Sequence, residues 1–204
     1  MTKVLWRYRQ NGVYCFNFHR IGDADKCQYD PNVFSCSAKD LTKHLDFIKN
    51  NFEIINQERF IEIIESTQVV DKKLAYITFD DGYLDNYQLA FPILTAMKIP
   101  ATFFVATGLI ESQTIPWWDE IAWHIKQCDL NELKLPSWNK VITLSAKNKS
   151  ENIRQVLSQF KSASTQIEAQ LVELRSITGL SLSHYTSEFM TWAQLLEMES
   201  AGMT

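Results

Sequence analysis

The sequence predicts an α/β fold built on parallel strands, and three stretches lead to that expectation. "LAYITF", residues 74–79, is a near-continuous apolar run of the kind found where both faces of a strand are covered. "YLDNYQLAFPILTAMK", residues 83–98, follows with helical character, and "ATFFVAT", residues 101–107, is a second buried run. Strand, helix and strand in direct succession make a βαβ unit, whose crossover requires the two strands to lie parallel.

The remaining elements follow in order. "VYCFNFH", residues 13–19, is rich in β-branched and aromatic residues and reads as the first strand. Residues 20–33 form a polar loop punctuated by Gly22 and Pro31. Ser37 caps a helix through residue 52: Asp40 sits three residues on, and Leu41, Leu45 and Ile48 recur at helical spacing. A short strand over 52–55 precedes a helix over 57–67. In the helix over 83–98, Pro92 should introduce a kink or a division. "WWDEIAWHIKQC", residues 117–128, is helical, and "LPSWNKVITL", residues 135–144, holds a short hairpin or an extended piece. Residues 148–179 are polar, helix-prone and free of proline, which predicts one or two helices ending at Gly179. Thr191 begins an amphipathic helix with Leu195, Leu196 and Met198 that Gly202 stops, where another strand is expected to begin.

Composition narrows the function classes. The 204 residues, 46% hydrophobic, suffice for one sizeable core or one domain with an insertion. A net charge of −4 argues against a nucleic-acid partner, which would call for a basic footprint. No apolar run is long enough for a transmembrane segment. Residues 1–16 carry positive charge without the continuous apolar core of a secretory signal, so the expected location is the cytoplasm. Four cysteines at irregular spacings, with no Cys-x-x-Cys pair, read as reduced, partly buried thiols.

The chemistry centres on Asp80 and Asp81, at the carboxyl end of the 74–79 strand, where parallel α/β folds gather their working residues. Neighbouring side chains on an extended strand point to opposite faces, so the two serve one site only if the chain turns; Gly82 permits that. Two carboxylates forced together would share a proton, and a divalent cation removes the conflict. That reading gives a metal site with one aspartate as ligand and the other as base. The alternative is structural: Asp80 caps the following helix and Asp81 is solvated in a tight turn. Asp-x-Asp phosphatase chemistry is excluded because the second position after Asp80 is Gly82, and neither an EF-hand loop nor a glycine-rich phosphate loop is present. His19 either lines the same cleft or is a hydrogen-bonded structural histidine. Trp117 and Trp118 form a sugar-stacking rim or an aromatic lid on the core. Glu120 and His124, at i,i+4, are a weak metal pair or a plain polar face; His44 and His184 read as solvated.

"TFDDGYLDNYQLAFPILTAMKIPATFFVATGLI", residues 78–110, resembles the first motif block of polysaccharide deacetylases, the nodulation-type chitooligosaccharide deacetylase homologues of carbohydrate esterase family four. "FNFHRIGD", "IPWWDEIAW" and "TWAQLLEMESAGMT" resemble further segments of one branch. The resemblance implies a distorted (β/α) barrel, of which residues 1–204 would supply the first half, truncated on its C-terminal side, with residues 117–190 as a helical insertion. It implies metal-dependent hydrolysis of N-acetyl, less often O-acetyl, groups on a polysaccharide or oligosaccharide. Asp80 would be the general base and Asp81 a ligand of zinc, with cobalt, nickel or manganese able to substitute; His19 and Trp118 would contact substrate. Asp85 and Asn86 would support the motif or cap its helix, and Tyr83 would pack nearby. The family's second motif, His-x-x-x-His, supplies two more ligands and has no counterpart among His19, His44, His124 and His184. The expectation is therefore a chain that needs a missing C-terminal half or second chain for efficient activity. The alternative is a non-catalytic remnant that binds a glycan or a partner.

Overall fold

The computed structural model describes residues 8–66, 69–162 and 166–204. Residues 1–7, which open the stretch read as unlike a secretory signal, and Thr67, the last residue of the expected 57–67 helix, lie outside the described residues. Two compact units are formed. The first takes the chain up to Gly22, Phe34–Glu111 and Glu188–Thr204; the second takes Asp23–Val33 and Ser112–Ser187.

The first unit begins with β1 (Gly12–Phe18), β2 (Arg20–Ile21), β3 (Phe34–Cys36), α1 (Ala38–Asn51), β4 (Glu53–Ile55) and α2 (Gln57–Glu65). It continues with β5 (Lys73–Asp81), α3 (Phe91–Met97) and β6 (Thr102–Val105). The second unit carries α4 (Trp117–Gln127), β7 (Glu132–Leu133), β8 (Ile142–Thr143), α5 (Lys149–Ser162) and α6 (Ile167–Thr178). The chain then returns to the first unit with α7 (Trp192–Ser200).

β5 is the axis of the first unit. β1 runs parallel along one edge, from Gly12 opposite Lys73 to Phe18 opposite Phe79. The other edge is shared end to end: β4 lies parallel to it at Leu74–Tyr76 and β6 at Thr78–Asp81. Every side chain from 74 to 79 is buried, which is why that stretch is apolar without alternation. Phe79 stacks on Phe18 at 5.2 Å and on Phe103 at 4.9 Å, and its complete burial contributes about 2–3 kcal/mol. α1 presses Leu41, Leu45 and Ile48 into the core, with Ser37 capping it through a 3.1 Å bond from the Asp40 N–H. Ahead of Pro92 the helix after β5 is divided: a π-helical turn over Asn86–Ala90 precedes α3, and the Phe91 N–H donates to the Asn86 carbonyl. Proline lacks an N–H and crowds the carbonyl four residues back; the wider turn takes up that misfit. At α7, Thr191 and Gln194 form a reciprocal capping box. Beyond it, the Thr204 N–H donates to the Ala101 carbonyl at 3.1 Å and its carbonyl accepts from Phe103 at 2.6 Å, beside β6.

Two strand ends differ from the sequence reading. β1 stops at Phe18, leaving His19 outside it, and β5 runs two residues past 79, so the aspartates are the end of the strand rather than the turn after it. The cause is β6, which offers ladder partners to both: Asp80 lies opposite Phe104 and Asp81 opposite Val105.

In the second unit three helices and the antiparallel β7–β8 pair enclose a core that includes Ile121, Ile125, Leu133, Trp138, Phe160 and Leu174. The stretch 148–179 holds two helices, the second ending at Gly179 in the left-handed region (φ 64°); residues 163–165 between them lie outside the described residues. Residues 23–33, a loop by sequence, belong to this unit. The Lys126 ammonium donates to the Cys27 carbonyl at 2.6 Å and Ser150 Oγ donates to Asn32 Oδ1 at 2.7 Å. No helix among the described residues is long and apolar enough to cross a membrane.

Candidate active site

Strand alternation would send the side chains of Asp80 and Asp81 to opposite faces. The backbone breaks that rule earlier than Gly82: Asp81 itself has φ 74°, and Gly82 follows with φ 83°. Among residues with a Cβ, Asp and Asn tolerate this left-handed region best. Gly82 is required twice over, since a Cβ there would stand 2.9 Å from Val105 Cγ1 as well as sit at positive φ. Gly82→Ala is therefore expected to cost roughly 1–3 kcal/mol in urea denaturation; an unchanged midpoint would show that the turn does not depend on glycine. A segment with no signal in the sequence clamps the turn. The Leu84 N–H donates to the Glu188 carbonyl at 2.7 Å, the Met190 N–H donates to the Gly82 carbonyl at 3.0 Å, and Tyr83 stacks on Phe189 at 4.7 Å.

Asp80 is approached from β1. Asn17 Nδ2 donates to Asp80 Oδ2 at 2.8 Å, and His19 Nε2 stands 3.6 Å from the same oxygen, beyond hydrogen-bond length. Both the His19 and Asp80 side chains remain partly open to solvent, at 39% and 31%. The structural alternative finds no support: among the described residues Asp80 accepts from Asn17 rather than from a helix N–H, and Asp81 is half-buried rather than solvated. The Asp81 carboxyl is held above its ordinary value, first by burial, then with His19 pulling it down and the Asp80 charge pushing it up. Burial, the His19 imidazole and the Asp80 charge thus all bear on the Asp81 carboxyl.

The raised value fixes a sign. A carboxyl whose folded pKa exceeds its unfolded one contributes stability that is complete below the unfolded value and is lost as pH rises through the folded one. Ionised Asp81 therefore opposes folding near neutral pH. Asp81→Asn removes that charge and keeps a residue that accepts positive φ, so its urea midpoint is expected above wild type at neutral pH and level with it in acid. Asp81→Ala adds a left-handed strain of roughly 1–2 kcal/mol and falls below the Asn variant. An Asn variant less stable than wild type at neutral pH contradicts this.

The corner that carries His19 is held from behind. Arg20 is buried between the rings of Phe34 and Tyr83, each centroid 4.6 Å away, and its Nε donates to Asp85 Oδ2 at 2.7 Å while Nη1 pairs with Glu188. Asp85 also accepts from the Ile21 N–H at 2.8 Å; burial pushes its carboxyl up in spite of Arg20. Asn86, fully buried, donates to the His19 carbonyl at 2.7 Å, and Ser35 Oγ accepts from the His19 N–H at 2.9 Å. Asp85 and Asn86 therefore support the motif; Asp85 makes no side-chain cap to the turn it precedes.

Trp118 belongs to the second unit, half-buried against its core and edge-to-face with Trp117 at 5.5 Å. Glu120 and His124 are not a solvated polar face, because both are buried. Arg175 forks onto Glu120 through bonds of 2.5 and 2.9 Å, and His124 Nδ1 lies 2.8 Å from Thr178 Oγ1. Burial would raise the Glu120 carboxyl, but His124 and Arg175 outweigh it and hold it at about 2. His44 and His184 are exposed.

Catalytic zinc takes three protein ligands. Among the described residues no group of three or more His, Cys, Asp or Glu side chains is arranged to hold a metal ion. Asp81, a half-buried carboxylate whose ionisation its surroundings oppose, has the chemistry of a single ligand; the described residues do not make a complete metal site.

A family model described as polysaccharide deacetylase matches residues 67–195. The Bacillus subtilis (strain 168) protein YxkH is 31% identical over 75 residues, covering 36% of this chain and 27% of its own length. The poly-beta-1,6-N-acetyl-D-glucosamine N-deacetylase of Staphylococcus aureus (strain MSSA476) is 29% identical over 113 residues, covering 50% of this chain and 38% of its own. A solved de-N-acetylase structure from Aggregatibacter actinomycetemcomitans aligns with a TM-score of 0.49 at 20% identity, over 94% of this chain and 52% of that one. The chain spans between about a quarter and about half of the length of these relatives.

Proposed function

Because the chain belongs to the polysaccharide deacetylase family, we propose that it carries the proton-accepting part of a site that hydrolyses N-acetyl groups on a polysaccharide or oligosaccharide. The observation that carries this reading is the end of β5: a half-buried aspartate at positive φ, destabilised by its own charge, beside a second aspartate that Asn17 and His19 flank. Structural economy would place asparagine at 81; a carboxylate kept there at a cost fits a role in chemistry. Asp80 would accept a proton from the water that attacks the acetyl carbonyl. Asp81 would be one ligand of a divalent cation, zinc first and cobalt, nickel or manganese as alternatives, with the other ligands supplied from outside the described residues. His19 would contact the sugar, and the parallel sheet would form part of a distorted barrel.

The name of the Staphylococcus aureus relative makes β-1,6-linked N-acetylglucosamine oligomers the first substrate to try. The test is acetate release from them by the natural full-length polypeptide, with each of the four metals in turn. Release supports the reading, and none with any metal rules it out. The 204-residue chain alone is expected to bind zinc weakly in calorimetry. Oligomer binding with no acetate release would select a second reading, a glycan-binding piece without catalysis.

A further inference from the structure

Asp80 has two carboxylate oxygens, and the sheet treats them differently. Asn17 lies directly opposite Thr78 in the β1–β5 register, and Asp80 follows Thr78 by two residues, so the three side chains share one face. Asn17 Nδ2 donates to Asp80 Oδ2 at 2.8 Å, while Asn17 Oδ1 accepts from Thr78 Oγ1 at 3.0 Å. The directions are forced by chemistry. An ionised carboxylate only accepts, so the amide must turn its nitrogen to Asp80 and its oxygen to Thr78, and the threonine hydroxyl must donate. Thr78 is buried, so its hydroxyl has few other acceptors, whereas Asn17 is exposed. His19 Nε2 also stands on the Oδ2 side, 3.6 Å away. Among the described residues nothing donates to Oδ1.

Resting on the reading of Asp80 as the base, we propose that Asn17, locked by Thr78, is a positioning residue that holds Asp80 by Oδ2 and leaves Oδ1 as the oxygen that takes the proton. Without the lock the amide can rotate and present its own oxygen to the carboxylate, a repulsive pairing that turns Asp80 away.

Thr78 separates positioning from packing. Thr78→Val keeps the shape and loses the hydroxyl, whereas Thr78→Ser keeps the hydroxyl and loses a buried methyl. In the full-length polypeptide, kcat for acetate release is expected to fall roughly tenfold in Thr78→Val with KM unchanged, and to recover in Thr78→Ser, while thermal stability follows the reverse order. A merely structural role would make kcat track stability instead, and that result overturns the proposal. A second readout needs no activity. At one fixed pH, NMR of the ¹⁵N-labelled 204-residue chain should show an Asn17 side-chain amide proton shifted downfield. It should relax to the free-amide position in Thr78→Val and Asp80→Ala. An Asn17 amide that Asp80→Ala leaves unchanged sinks the positioning inference, whereas a wild-type protein that releases no acetate sinks the deacetylase reading instead.

Discussion

Asp80→Asn is expected to lower acetate release by about 10²–10⁴-fold, the range a positioned general base contributes. The variant isolates the proton. An asparagine oxygen can still accept the 2.8 Å bond from Asn17, so the β1–β5 contact and the fold stay in place. What the amide cannot do is take a proton from water. KM should stay near wild type, because the loss falls on the transition state rather than on binding. An Asp80→Asn enzyme that keeps most of its activity would move the base elsewhere, with His19, beside Asp80, the next group to test.

Arg20→Ala is expected to destabilise the protein by about 3–5 kcal/mol, because it leaves a buried carboxylate without its counter-charge. Arg20 and Asp85 are only 7% and 8% exposed. The loss also removes the cation between Phe34 and Tyr83 and the partner of Glu188, the residue whose backbone clamps Leu84. Arg20→Lys should recover little, since an ammonium cannot fork between two carboxylates and lie flat between two rings. Combining Arg20→Ala with Asp85→Asn should recover part of the loss by removing the orphaned charge. A single variant within about 1 kcal/mol of wild type would show that the network is peripheral.

The parallel sheet was legible because its signals are local. An uninterrupted apolar run, a helix and a second run leave little choice of topology, and Leu41, Leu45 and Ile48 mark the buried face of α1 without help from the rest of the chain. Asp80 and Asp81 stood out for the same reason: adjacent charges against a buried strand are anomalous in any fold. What the sequence hid depends on partners far along the chain. β6 extends β5 through both aspartates, so the turn begins at Asp81. Arg20 looked like the start of a polar loop, and only its meeting with Asp85 and Glu188, 65 and 168 residues away, makes it a buried cation. Asn17 was one polar residue in a strand, with nothing nearby in sequence to suggest that it faces Asp80 across 63 residues. Glu120 and His124 have helical spacing that fits an exposed pair, and their burial goes with α6, which brings Arg175 onto Glu120 and Thr178 onto His124.

The account stands on the two acids at the end of β5 acting on each other inside one half-buried site. Side-chain carboxyl NMR of the 204-residue chain, titrated with and without Asp80→Asn, measures that directly. The predicted result is an Asp81 carboxyl that titrates above the ordinary aspartate range and moves down when the neighbouring charge is removed. An Asp81 that titrates at the ordinary value and does not respond to residue 80 would contradict it.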